Sequence, residues 1–408
     1  MATNFHFVKD FSGISRDSKL LIGGGFLGNL ALGLIFTDLS YFLHTVRGIS
    51  IVYAGLVFTI EGIAGSVLAV PLGILSDRNG RKKMIVYGNL ILGGSVVLIA
   101  IATNLIQLYV ASIFIGISDA AFTASGGAML SEISTNEKRT ATFSLYALAA
   151  NGAWAGGGFL LYLIYPLSNL GINQLSAHLI LYIALGLATI VSTILLVRIR
   201  EPARVRTVKN KKIISSDTRN IITKYVLSNI GIAIGAGLFV PLMSQWFSYK
   251  YAISDTISGP ILGLSGLLLA FSALIAPALG RKMGIINAMV VTMLASTVFL
   301  ILTPIPGNYQ ISAVFYILRS LLMNVSGPLS NSLIMGIIPP EQRGATSGIT
   351  SIFFRMPNSL STYPGSLLMK DGNLSMPFYI AAILYVASIV SFYGWFRRVK
   401  PPEEATAK

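Results

Sequence analysis

The chain has 408 residues, of which 54% belong to the AVILMFWYC set, and its mean hydropathy is +0.73. Only 11% are charged, against about 25% in a typical soluble domain, so it cannot furnish the polar skin of a water-soluble fold. The net charge of +15, from 30 Lys+Arg over 15 Asp+Glu, therefore reads as membrane topology, and no nucleic-acid partner is expected.

In chain order, the polar residues 1–19 show no small-residue cleavage site before a short apolar core, so no secretory signal is expected and they read as a cytoplasmic tail. A span needs about 20 mostly apolar residues to cross about 30 Å of hydrocarbon. Twelve such runs are read, at 20–45, 50–75, 84–103, 105–131, 140–166, 176–198, 220–247, 255–279, 285–303, 309–336, 344–368 and 375–397. All should be helices, because hydrocarbon offers no other partner to backbone N–H and C=O groups. The fold class is an all-α membrane protein. A six-helix bundle at 20–198 and a second at 220–397 are joined by a polar linker at 199–219 and followed by a tail at 398–408. With the N-terminus inside, 25 of the 30 Lys+Arg fall in cytoplasmic segments. This predicts a multi-pass protein of the plasma membrane with both termini cytoplasmic. There is no Cys, and His6, His44 and His178 make no ligand spacing, so neither metal nor cofactor is expected.

A shift of 204 residues, half the chain, superposes landmarks of the two halves. LSEISTNEKR at 130–139 falls on IMGIIPPEQR at 334–343, and LSDRNGRKK at 75–83 falls on LGRKMGIIN at 279–287, so Gly80 meets Gly284. This predicts a duplicated six-helix unit, the usual construction of secondary transporters. Between spans two and three stands GILSDRNGRKK, with Gly73, Asp77, Arg78, Gly80, Arg81 and Lys82. It resembles the signature loop of the major facilitator superfamily, G-x-x-x-D-R-x-G-R-[RK], and the likeness extends to span count and halves. The resemblance implies two pseudo-symmetric bundles, with Asp77 meeting the N-terminus of span eleven near Gly344–Ser347, where the helix dipole favours an anion. Glu132, at the end of span four, is the expected partner of Arg81. Such contacts would latch the cytoplasmic side; the plainer alternative is that the loop only sets topology. The second copy has Arg281 where Asp77 would be. Gly152-Ala-Trp-Ala-Gly156-Gly157-Gly158 in span five lacks the proline of the efflux pattern and suits close helix packing.

Five ionisable residues stand out within the spans, away from their ends: Asp38, Glu61, Asp119, Arg319 and Arg355. Each costs about 2.5–3.5 kcal/mol at a helix centre, so each should have a partner or a purpose. Spans one, four, seven and ten line the cavity in the resembled family, and two and eleven meet at the junction of the halves. Glu61–Arg355 and Asp119–Arg319 are the expected ion pairs, and Asp38 is left as the proton carrier or cation contact. Polar and aromatic candidates for the substrate cavity are Asn29, Thr37, Tyr41, Asn151, Trp154, Asn229, Gln245, Asn324, Asn331 and Asn358. Pro241, Gly327-Pro328, Pro357 and Pro364 should bend or break spans seven, ten and eleven.

No GxxxxGK[ST] and no catalytic constellation is present, so ATP hydrolysis and enzyme activity are not expected. The reading is a monomeric, proton-coupled secondary transporter whose partners are the lipid bilayer, protons and a small-molecule substrate. The two arginines favour a substrate with a carboxylate or phosphate, which ranks first. The three acids favour cationic or amphipathic compounds and efflux. A transporter-like sensor that binds without translocating is the alternative from another class.

Overall fold

The computed structural model describes residues 13–135, 137–201 and 214–399. Most of the 199–219 linker, the tail beyond Val399 and most of the N-terminal tail lie outside the described residues. The rest is helical: α1 Arg16–Val46, α2 Ile51–Asn79, α3 Arg81–Ile101, α4 Leu105–Ile133, α5 Arg139–Asn169, α6 Gln174–Val197, α7 Ser216–Tyr251, α8 Asp255–Met283, α9 Ile285–Leu302, α10 Tyr309–Ile337, α11 Arg343–Lys370 and α12 Met376–Phe396. Ten are long and apolar enough to cross a membrane. The other two, α8 and α11, are as long, but the apolar stretch found in α8 is Asp255–Leu269, and α11 carries Arg355, Asn358 and two prolines.

The duplication is visible residue by residue. Helices α2 and α8 begin and end 204 residues apart, as do α4 and α10; α3 and α9, and α5 and α11, begin at the same offset. The caps repeat too. The Asn104 side chain accepts from the Gln107 N–H at the start of α4, and Asn308 accepts from Ile311 at the start of α10. The turns entering α3 and α9 pass through Gly80 at φ +106° and Gly284 at φ +80°, a backbone region that other residues enter only at a cost. A close helix approach is copied as well. A Cβ added to Gly33 of α1 would lie 2.7 Å from the carbonyl carbon of Trp154 on α5, and one added to Gly237 of α7 would lie 2.7 Å from that of Asn358 on α11.

The described residues pack as two compact units, one within Met1–Phe36 and Ile63–Val205, the other within Thr37–Gly62 and Arg206–Lys408. In the first unit, Leu21, Ile85, Met129, Leu130, Leu196 and Ile199 form a core cluster. Asn89 of α3 ties that helix to α6, donating to the Thr189 carbonyl at 2.9 Å and to the Ser192 and Thr193 hydroxyls at 3.1 and 2.9 Å. In the second unit the core is aromatic, with Trp246 packed against Phe378 at 4.8 Å between centroids and donating its indole N–H to the Leu374 carbonyl at 2.8 Å. Here α7 breaks: the α-helix ends at Gly237, a 3-10 turn runs Val240–Leu242 with Pro241 inside, and Met243–Tyr251 resumes.

Residues 37–62 group with the second unit because of what they touch. Thr59 donates to the Ser359 carbonyl at 2.8 Å, and a Cβ on Gly55 would meet the Ser366 Cβ at 2.7 Å. At its end α1 winds into a π-helical turn, Phe42–Val46, which turns His44 and Thr45 toward α7. His44 Nε2 lies 2.8 Å from the Tyr249 hydroxyl, and Thr45 donates to Gln245 Oε1 at 2.9 Å.

Candidate functional site

The signature loop sits in the first unit. Gly80 makes the turn that ends α2 and starts α3, which brings Arg81 back beside α4. Its guanidinium is 2.7 Å from Glu132 and 3.4 Å from Asp77, one turn earlier. Asp77 is 71% exposed and Arg78 is exposed. Gly73 faces α4, where an added Cβ would touch Ala124 at 3.8 Å. Glu201 completes the cluster, accepting from the Arg81 backbone N–H at 2.8 Å. A carboxylate there meets unsatisfied N–H groups and the positive end of the α3 dipole. Glu201 belongs to REPAR, whose last three residues lie outside the described ones; nothing in the local pattern marks it as a cap for a helix 120 residues away.

Each unit also holds a cavity. In the first, a cavity of about 280 Å³ is walled by α1, α3, α4 and α5. Asn29 and Leu32 of α1, Asn89 and Leu92 of α3, Asp119, Phe122 and Thr123 of α4 and Tyr146 of α5 line it, with glycines 25, 28, 88 and 127 between them. Thr123 donates to Asp119 Oδ1 at 3.4 Å. In the second unit, a cavity of about 250 Å³ is lined by Tyr225 and Asn229 of α7, Asn331 of α10, and Thr350, Phe353, Phe354 and Arg355 of α11. Tyr225 shares a 2.5 Å hydrogen bond with Ser330, which fixes its ring at the wall. One acid stands in the first cavity and one base in the second.

Three further charges of the second unit are deeply buried. Asp38 and Asp255 are both fully buried, and a carboxylate oxygen of one lies within 4.8 Å of one of the other. Thr37 and Tyr41 are buried beside Asp38 on α1. Arg319 is 5% exposed. Its guanidinium lies 4.9 Å over the Phe239 ring, at the break in α7, and bonds the Tyr385 hydroxyl. The sequence expectation paired Arg319 with Asp119; each has neighbours within its own unit, Tyr385 and Phe239 for one, Thr123 for the other. Glu61 precedes Gly62, which abuts Ser359, one turn beyond Arg355 on α11.

The other candidates are dispersed. Asn29, Asn229 and Asn331 line cavities. Gln245 is buried under Thr45, and Asn358 donates to the Ala233 carbonyl at 3.0 Å, bridging α11 to α7. Asn324 donates to Ser320 in its own helix at 2.8 Å. Asn151 is exposed, and Trp154 packs on Phe36 at 5.4 Å between centroids. Glu201, Asp255, Asn89 and Tyr146 were not singled out from sequence. Asp255 reads there as an ordinary acid in the first turn of a helix, and burial leaves no local trace.

The family model described as Major Facilitator Superfamily matches residues 21–362 and again 225–408. Among curated relatives, the chain is 24% identical over 355 residues to the "Tetracycline resistance protein, class H" of Pasteurella multocida, covering 82% of this chain and 84% of that one. It is 22% identical over 397 residues to "Multidrug resistance protein 2" of Bacillus subtilis, covering 92% and 94%. Among solved structures, a bacterial homolog of the human lysosomal transporter Spinster superposes with a TM-score of 0.76 at 13% identity, covering 93% of this chain and 96% of the other. At that identity the likeness speaks for the fold.

Proposed function

This chain belongs to the Major Facilitator Superfamily of transporters, and we propose that within it the protein is a proton-coupled secondary transporter of a small organic solute, working by alternating access. The observation that carries the reading is the pair of cavities. Two halves built on one repeat each hold a pocket of solute size with a single charged side chain among its described lining residues, Asp119 in one and Arg355 in the other. Asp38, with Asp255 within 4.8 Å, supports proton coupling, because buried intramembrane carboxyl groups are the usual carriers of protons through a bilayer. The Arg81–Glu132–Asp77 cluster supports a cytoplasmic latch that forms and breaks during the cycle. Glu61 and Arg355 form a second such pair in this reading. The excess of basic residues in loops on one side supports a plasma-membrane protein with both termini cytoplasmic. Its partners are then the bilayer, protons and the solute, and it works as a monomer.

Export is the direction favoured by the tetracycline and multidrug resistance proteins among its relatives. The test is flux into proteoliposomes under an imposed pH gradient. Wild type accumulates or expels solute in response to the gradient. Asp38→Asn keeps solute exchange and loses the response to pH. Solute binding without flux under any gradient would leave the chain a sensor and sink the proposal.

A further inference from the structure

We propose that the second unit carries a binding site for an anionic phospholipid, with the phosphate on the Lys250 ammonium and one acyl chain in a groove between α9 and α12. The inference goes beyond the transport reading and does not depend on it.

The site begins with a cation held in place. Lys250, in the last turn of α7, donates from Nζ to the Pro304 carbonyl and stands 5.6 Å from the ring centres of both Trp246 and Tyr251. Each of those rings is itself pinned. The Trp246 indole N–H donates to the Leu374 carbonyl at 2.8 Å, and the Tyr251 hydroxyl to the Pro306 carbonyl at 2.9 Å. An ammonium has three N–H donors, and the Pro304 carbonyl takes one. No carboxylate among the described residues forms an ion pair with Lys250. The side chain is only partly buried, so an anion can reach the donors that are left. Topology does not account for this lysine, because in the orientation proposed above it stands at the outer end of α7.

A groove opens beside the cation. It holds about 370 Å³ and is lined by Ile301 of α9 and by Tyr379, Ala382, Ile383 and Val386 of α12. The four α12 residues recur at i, i+3, i+4 and i+7, so they form one stripe of the helix. Ala382, 4% exposed, is the floor. Both walls lead to Lys250. Ile301 stands three residues before Pro304, and Tyr379 follows Phe378, which packs on Trp246 at 4.8 Å. Ile301 is in the last turn of α9 and Tyr379 in the first turn of α12, so the groove starts at the membrane interface. From Tyr379 to Val386 it runs inward about 10 Å, against about 15 Å for the hydrocarbon of one leaflet. The cation and the tyrosine hydroxyl at its mouth and the apolar residues along its length match a phosphate and an acyl chain in that order. A soluble anion would leave the groove unused, and a zwitterionic headgroup would bring a second cation with no carboxylate to meet it.

The test titrates the full chain in detergent with phosphatidylglycerol and with phosphatidylcholine of the same acyl chains, reading bound lipid by native mass spectrometry. One phosphatidylglycerol is expected to bind about fivefold tighter than phosphatidylcholine, the worth of one interfacial lysine. Lys250→Gln should erase the preference, whereas Lys370→Gln, which removes a cation at the same end of the unit, should leave it. Val386→Trp should weaken phosphatidylglycerol by a similar factor by filling the groove. Val386 is 42% exposed, so this variant carries the test if Lys250→Gln fails to fold. Glycerol 3-phosphate, a phosphate without chains, should not displace the lipid. Equal binding of the two lipids, equal effects of Lys250→Gln and Lys370→Gln, or an affinity unmoved by Val386→Trp overturns the proposal. Displacement by glycerol 3-phosphate overturns it in favour of a soluble anion, and a dimer that excludes lipid overturns it in favour of a second copy of the chain.

Discussion

Replacing Gly33 by alanine tests whether the α1–α5 approach is a structural requirement. The added Cβ would lie 2.7 Å from the Trp154 carbonyl carbon and 2.8 Å from its Cα. Ordinary carbon–carbon contact is about 3.5–4.0 Å, so the two helices must part by about 1 Å along their line of contact. These are backbone atoms, which cannot swing aside as a side-chain tip can. Overpacking of this kind costs about 1–3 kcal/mol. For a unit of about 150–250 residues, each kcal/mol moves the melting temperature by about 2–4 °C, so a fall of about 2–12 °C is expected. Gly237→Ala should fall similarly, because its Cβ would meet the Asn358 carbonyl carbon at the same 2.7 Å. Gly94→Ala and Gly348→Ala are the controls. A Cβ at either meets nothing within 4 Å, and alanine in a helix interior is favoured over glycine by up to about 1 kcal/mol. They should hold or raise the melting temperature. Thermal unfolding of the purified protein in detergent, followed by tryptophan fluorescence, gives all four values. Equal melting of Gly33→Ala and Gly94→Ala would refute the reasoning, since the close approach would then cost nothing.

Arg81→Gln and Glu132→Gln should each slow flux, and the exchanged pair Arg81→Glu with Glu132→Arg should recover part of the loss. The side chains are 18% and 29% exposed, so a coupling of about 1 kcal/mol is expected from a double-mutant cycle on initial rates. Glu201→Ala removes the acid at the start of α3 and should cost about 1 kcal/mol, read as a lower melting temperature and faster proteolysis near residue 80. Glu61→Gln and Arg355→Met should each lower flux alone, and the double variant should lose less than the two losses combined; strict additivity would show that the two side chains act independently.

Periodicity and repeats made the architecture legible. Hydropathy gave the helix positions to within a few residues, and the 204-residue shift located the paired turns found at Gly80 and Gly284; the matching caps at Asn104 and Asn308 emerged only from the structure. The Arg81–Glu132 contact followed from a motif and one acid at a helix end. What sequence could not give is which face of a helix turns toward which neighbour. Arg319 and Asp119 lie at similar depths in their spans, yet Arg319 sits among aromatic rings while Asp119 lines a cavity. Asp38 was singled out as a charge inside a span. Its neighbour Asp255 was not, because position 255 falls at a helix start, where acids are common on dipole grounds alone. Asn89 shows the same limit: an asparagine in an apolar helix could point anywhere until Thr189, Ser192 and Thr193 fix its amide.

The two glycine turns repeat one backbone shape in unlike chemical company. Gly80 is flanked by Asp77, Arg81 and the Glu201 carboxylate, whereas the turn at Gly284 follows Arg281 and Lys282 and has no acid at the position of Asp77. One turn is bound into an ionic cluster, and its copy carries the same backbone shape behind two cations. A dye or spin label belongs on the second. At Met283, already 37% exposed, a cysteine introduced into this otherwise cysteine-free chain would carry a reporter on the repeat without touching the ionic cluster it mirrors.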